Sequence, residues 1–137
     1  MKQSASIFVK GIQSVDGESD CIELSSEGTV ELNDKGLRLC YYELSENDEK
    51  SETVLTLIGE TLKIDRNGSN EMSMIIQKNK HRSCTLDTPM GALLIGTYGK
   101  SLSHENAVLK CSYDLDMNSV LMSTNELEIT YQTDNER

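Results

Sequence analysis

Three charged residues, Glu43, Arg66 and Arg82, stand where the sequence pattern places apolar side chains. Each belongs to a run of residues spaced by two: Leu37, Leu39 and Tyr41 precede Glu43, Leu62 and Ile64 precede Arg66, and Cys84 and Leu86 follow Arg82. Because successive side chains on a strand point to opposite faces, these charges should lie on the apolar faces of three strands. An arginine there presents a planar, permanent cation that binds carboxylates or phosphates.

Two interpretations of these charges stay open. They either contact a ligand, or they lie at strand ends in water and form a structural ion pair. The position of Arg66 is the best defined of the three, because the Asn67-Gly68 turn places it at the end of its strand. A buried guanidinium without a partner is costly, so Arg66 should meet either Glu43 or the acidic group of a ligand. The candidate ligand-binding residues are Arg66, Glu43, Tyr42 and Arg82.

Other chemistry finds little support in the sequence. His81 and His104 stand in polar stretches without a nucleophile at a catalytic spacing, so we interpret them as surface histidines. The four cysteines occur singly, without a C-x-x-C pair, and are expected to be reduced side chains of the core. We therefore predict no metal site and no cofactor, and we rank an enzyme last among the functions.

Alternating apolar and polar residues predict an all-β protein. His104 to Lys110 also fits a helical turn, but we favour a short turn and then a strand. Ser45 to Ser51 is the most polar stretch and is expected to be an exposed loop. The predicted strands cover residues 5–13, 21–32, 37–44, 52–58, 61–66, 71–77, 82–88, 90–101, 108–115 and 119–132.

Short hairpin connections between so many strands favour one architecture. A closed up-and-down antiparallel barrel of about 8 to 10 strands removes exposed strand edges most completely, and two packed sheets are the alternative. The length of 137 residues fits a single barrel domain over residues 1–137. The charged residues named above would then point into the barrel mouth.

Charge and hydropathy limit the partners and the location. The net charge of -10 and the sequence pI of about 4.6 disfavour nucleic acid and anionic membrane surfaces. The apolar stretch near the N-terminus, Ile7 to Val9, is too short for the core of a signal peptide, and no stretch is long enough to span a membrane. We expect a cytoplasmic protein.

Several short stretches resemble the YwiB-like domain-of-unknown-function family of bacterial proteins. Their order along nearly the whole chain carries the resemblance, and they are Ile22-Glu23-Leu24 to Glu27-Gly28, Tyr42-Glu43, Ile64 to Gly68, Met72 to Ile76, Thr88 to Gly91 and Leu109 to Leu115. The resemblance implies a calycin-like, lipocalin-like β-barrel of cytosolic bacterial origin without an established activity. The chain has no tryptophan and so lacks the Gly-x-Trp signature of true lipocalins.

The leading functional hypothesis is a non-enzymatic protein that binds a small acidic or amphipathic molecule inside the barrel. The alternative is a filled barrel that serves as a cytosolic interaction or regulatory module. Such a module would present the loop from Ser45 to Ser51, or a strand edge, to another protein. The two hypotheses differ in whether the interior is filled. With one phenylalanine and no tryptophan, the interior must be filled by Leu, Ile, Val, Met and Tyr, and a cavity remains if these side chains fall short.

Overall fold

The computed structural model describes residues 2–44, 50–68 and 72–133, which form ten strands. All ten predicted runs coincide with strands, and the two-residue turn at Asn106 and Ala107 excludes the helical alternative there. Most of the polar loop from Ser45 to Ser51 lies outside the described residues. The strands are β1 (Lys2–Val15), β2 (Glu18–Asn33), β3 (Gly36–Leu44), β4 (Lys50–Ile58), β5 (Thr61–Asn67), β6 (Met72–Gln77), β7 (His81–Thr88), β8 (Gly91–Glu105), β9 (Val108–Met117) and β10 (Val120–Thr133).

The strands form one antiparallel sheet in the order β6-β5-β4-β3-β2-β1-β10-β9-β8-β7. The first and last strands pair in the middle of this sheet, from Ala5 opposite Thr133 to Ser14 opposite Thr124. The two ends of the sheet, β6 and β7, are consecutive in the chain. The predicted up-and-down antiparallel barrel is confirmed, and it is nearly closed, with a seam between β6 and β7.

The seam is held by individual contacts. Among the described residues, Gln77 at the end of β6 forms an isolated bridge with Lys80, the residue before β7. Across the gap the Thr97 hydroxyl of β8 donates a hydrogen bond to the Ile75 carbonyl at 2.5 Å, and the Asn79 amide donates to the Gly99 carbonyl at 2.8 Å. The end of β6 therefore lies against β8, the second strand beyond the seam.

Connections alternate between the two ends of an up-and-down barrel. We call the end with the β1–β2, β3–β4, β5–β6, β7–β8 and β9–β10 connections the upper end, and the opposite end the lower end. Side chains of the sheet's inner face, most of them aliphatic, fill the barrel toward the lower end. The largest fully buried side chains are Ile7, Leu39, Thr53, Leu55, Leu62, Ile76, Leu109 and Ile129. The part of the chain that the structure describes contains no helix that could cross a lipid bilayer.

Candidate functional site

Strand length makes the upper end asymmetric. Strands β3 to β7 have 6 to 9 residues, whereas β1, β2, β8, β9 and β10 have 10 to 16. The β2 strand pairs with β1 from Glu18 onward, but with β3 only from Gly28 onward. Among the described residues, the long strands therefore continue past the ends of the short ones at the upper end, and we call this end the upper mouth.

Arg66 and Glu43 meet at the short side of this mouth. Arg66 Nη2 lies 3.4 Å from Glu43 Oε1, and the two side chains are 33% and 35% exposed. They come from β5 and β3, on either side of β4, where Thr53 pairs with both Arg66 and Tyr41. Of the two partners predicted for Arg66, Glu43 or the acidic group of a ligand, the structure shows the contact with Glu43, since both residues continue the inner faces of their strands.

The guanidinium of Arg66 is only partly used by this contact. Its Nε atom is buried and has no hydrogen-bond partner among the described residues. A charge-assisted hydrogen bond between nitrogen and a carboxylate usually measures about 2.7 to 2.9 Å, so the contact with Glu43 is long. Arg66 thus keeps donor capacity for another acceptor.

Two tyrosines complete the polar side of the mouth. Burial, and to a smaller extent the charge of Glu43, raise the pKa of Tyr41 to about 12, while the charge of Arg66 opposes the shift. Burial also raises the pKa of Tyr113 to about 12, again opposed by Arg66. Both phenols are neutral near pH 7. Sequence reasoning missed them as site residues, although their inward parity, shared with Leu39 and Cys111, was the available signal.

Apolar side chains line the long side of the mouth. The inward-facing residues Ile22 and Val120 are 70% and 62% exposed. Met117 pairs with both Ile95 and Val120, which places all three side chains on one face. We call this surface the apolar wall, and it consists of Ile22, Leu24, Leu93, Ile95, Leu115, Met117 and Val120.

The other two candidate ligand-binding residues do not join Arg66 and Glu43. Tyr42 lies on the outer face, where the Lys50 ammonium is 4.1 Å from the centre of its ring. Arg82 donates from Nη1 to Gln77 Oε1 at 2.8 Å, at the β6–β7 turn. Because Gln77 lies at the opposite end of the β5–β6 ladder from Arg66, the expectation that Arg82 shares the upper mouth is wrong.

The histidines differ from each other. His81 is exposed, as predicted, and its Nε2 lies 2.7 Å from Asp116 Oδ2 on the outer face. For His104 the prediction of a surface residue is wrong, because its ring is partly buried and stacks on Tyr131, with Nε2 2.8 Å from the phenol oxygen. Burial lowers the pKa of His104.

The four cysteines are free, as predicted, but only one is fully buried. Burial raises the pKa of the Cys111 thiol to about 12. Cys21 is exposed, because it lies on the outward face of β2 beyond the end of β3, and the expectation that it belongs to the core is wrong. Within residues 2–44, 50–68 and 72–133, no three His, Cys, Asp or Glu side chains are grouped to hold a metal ion.

Comparisons with known proteins support the fold and the family. Residues 7–129 match the model of a domain of unknown function, DUF1934. The crystal structure of the ywiB protein from Bacillus subtilis is similar to this chain, with a TM-score of 0.74 and 19% sequence identity. The similarity covers 96% of this chain and 94% of that one. No curated protein matches the sequence.

Proposed function

The chain belongs to the DUF1934 family of domains of unknown function, and we propose that it binds a small amphipathic molecule with an acidic group at its upper mouth, without catalysing a reaction. The observation that carries the proposal is the Nε of Arg66, which is buried and has no hydrogen-bond partner among the described residues, at the rim of a barrel whose apolar wall is exposed to water. The ligand's acidic group would contact Arg66, and its apolar part would cover the wall.

The polar half of the proposal rests on the cost of an unused donor. A buried donor without an acceptor loses its hydration and gains nothing in return, a penalty of about 1 to 3 kcal/mol. The contact between Arg66 Nη2 and Glu43 leaves this cost in place, because it does not involve Nε. An acidic ligand would supply the missing acceptor.

The apolar half rests on exposed inward-facing side chains. Covering apolar surface stabilises a complex by about 25 cal/mol per Å². Ile22 and Val120 offer such surface at the mouth. Aliphatic packing already fills the barrel around Leu62 and Ile76, so we place the ligand in the upper half.

A protein-interaction module remains the alternative. It is favoured by apolar side chains at the upper end that do not face the barrel interior. Met90, in the β7–β8 turn, is 98% exposed, and Leu121, on the outer face of β10, is 62% exposed. A partner protein that covers them would gain from the same hydrophobic effect.

Native mass spectrometry of the protein purified from its own host tests the proposal. We expect a bound small molecule in the wild type that is lost in Arg66→Ala and retained in the matched control Arg82→Ala. Retention in Arg66→Ala, or the absence of any small molecule from the wild type, would contradict the proposal. A stoichiometric protein partner in place of a small molecule would support the alternative.

A further inference from the structure

We infer that the ligand is an alkyl monocarboxylate and that Glu43 is its internal competitor, which the ligand's carboxylate displaces from Arg66. This inference rests on the proposed binding function and names the chemical class of the ligand.

The edge of the Arg66 guanidinium that carries Nε and Nη2 is suited to a carboxylate. A carboxylate binds arginine most strongly through two parallel hydrogen bonds, and Nε and Nη2 form one edge suited to this. In Arg66 the Nε atom is buried and has no partner within the described part of the chain, and Nη2 is 3.4 Å from Glu43 Oε1. A carboxylate that takes both nitrogens must replace Glu43 at Nη2.

The contact that must be broken is weak. It joins one nitrogen and one oxygen at 3.4 Å, and each side chain is about a third exposed to water. Exposed pairs of this kind contribute little to stability because water screens them and competes for the same groups. Glu43 can therefore turn toward solvent when a better-placed carboxylate arrives.

The charge of the mouth selects a monoanion. Among the described inward-facing residues of the upper mouth, Arg66 is the only cation. The pairing of Asp20 with Gln13 places a further carboxylate on the inner face of the long β1–β2 hairpin. A phosphate monoester, with a charge near -2, would meet one cation and at least two carboxylates. A single carboxylate replaces the charge of Glu43 at Arg66 without adding excess charge there.

The apolar wall selects an alkyl chain. Burial raises the pKa of Tyr113 and the charge of Arg66 opposes that rise, and from Tyr113 the inward side chains of β9 continue with Leu115 and Met117. The path from Tyr113 to Met117 covers four residue-to-residue steps, or about 13 Å along the strand. Ile95 and Val120 flank its far end. An unbranched chain of medium length that starts at Arg66 would follow this path.

Calorimetric titration with decanoate, decanol and decyl phosphate tests the inference. We expect the wild type to bind decanoate more tightly than the other two. Glu43→Gln should strengthen decanoate binding by about twofold, because removing a weak competitor raises the fraction of Arg66 free to bind. Binding of decanol should not change in this variant. Arg66→Gln should bind decanoate no better than decanol, and Arg82→Gln, the matched control, should behave as the wild type.

The outcomes separate the inference from the proposed function. Weaker or unchanged decanoate binding by folded Glu43→Gln would overturn the role of Glu43 as a competitor. Equal binding of decanoate and decyl phosphate by the wild type would overturn the assignment of a monoanionic ligand. If no probe binds while the host-purified protein carries a different molecule through Arg66, the inference falls and the proposed function stands. Circular dichroism verifies the fold of each variant. The comparison of the three probes on the wild type does not depend on whether any variant folds.

Discussion

Leu62 and Ile22 both face the inside of the barrel, yet Leu62 is fully buried and Ile22 is 70% exposed. Leu62 lies where strands surround the interior on all sides, and it packs in one cluster with Leu39 and Leu109. Ile22 lies on a long hairpin that continues past the end of β3. The comparison shows that an inward position produces burial only where an opposite wall exists. Unequal strand length therefore divides the barrel into a packed lower half and an open upper mouth.

The largest effect that tests this division is expected from truncation of the core. Leu62→Ala should lower the free energy of unfolding by about 2 to 5 kcal/mol, because it leaves a cavity among fully buried neighbours. Ile22→Ala, on the same face but exposed, should cost no more than about 0.5 kcal/mol. Urea unfolding followed by circular dichroism measures both. Equal costs would mean that the apolar wall is packed like the core.

Alkaline pH should act on the boundary between the two halves, through Tyr41 and Tyr113. Their pKa values of about 12 in the folded protein exceed the ordinary tyrosine pKa of 10. Stability from each is therefore fully present below pH 10 and is lost as pH rises toward 12. The loss should be about 2 kcal/mol for each tyrosine.

Urea midpoints between pH 8 and 11.5 check this, with Tyr41→Phe and Tyr113→Phe flattening the decline. Tyr98→Phe is the control, because Tyr98 lies exposed on the outer face. An equal decline in the double variant Tyr41→Phe and Tyr113→Phe would show that other groups, such as the buried Cys111 thiol with its raised pKa, cause the alkaline loss.

The smallest effect is expected from the ion pair at the mouth. A fully buried pair of Arg66 and Glu43 would make Arg66→Ala cost on the order of 3 kcal/mol. Because both side chains are about a third exposed and the contact is 3.4 Å long, we expect about 1 kcal/mol or less.

A double-mutant cycle with Glu43→Ala measures the coupling between the two residues in the absence of ligand. We expect the two substitutions to be sub-additive by a few tenths of a kcal/mol. A coupling several times larger would show that the pair is structural, and it would weaken the case that Glu43 can be displaced from Arg66.

Much of the fold could be predicted from the sequence because local rules determine it. The period of two identifies the strands, and turn residues such as Asn67-Gly68 separate them. The contact between Arg66 and Glu43 was also predictable, since each charge continues an inward-facing run at the same end of the barrel. These inferences needed only parity and the alternation of connections.

The remaining features depend on pairing between distant strands. Arg82 has inward parity, but the contact of its side chain with Gln77 at the β6–β7 turn follows from the seam, which no local pattern shows. His104 lies inside because the register of β8 shifts between Gly99 and Ser101, and the predicted strand ended at that irregularity. The proximity of Tyr113 to Arg66 joins two walls of the barrel and appears only after closure.

The pairing of β1 with β10 in the middle of the sheet has a consequence for folding. Ala5 can meet Thr133 only after nearly the whole chain is available, so this ladder carries a high loop-closure cost. The strands β1 to β6 and β7 to β10 are connected locally by hairpins and can form before the two groups join. We expect this late union to limit the folding rate, with both groups exposing their apolar faces until the first and last strands pair.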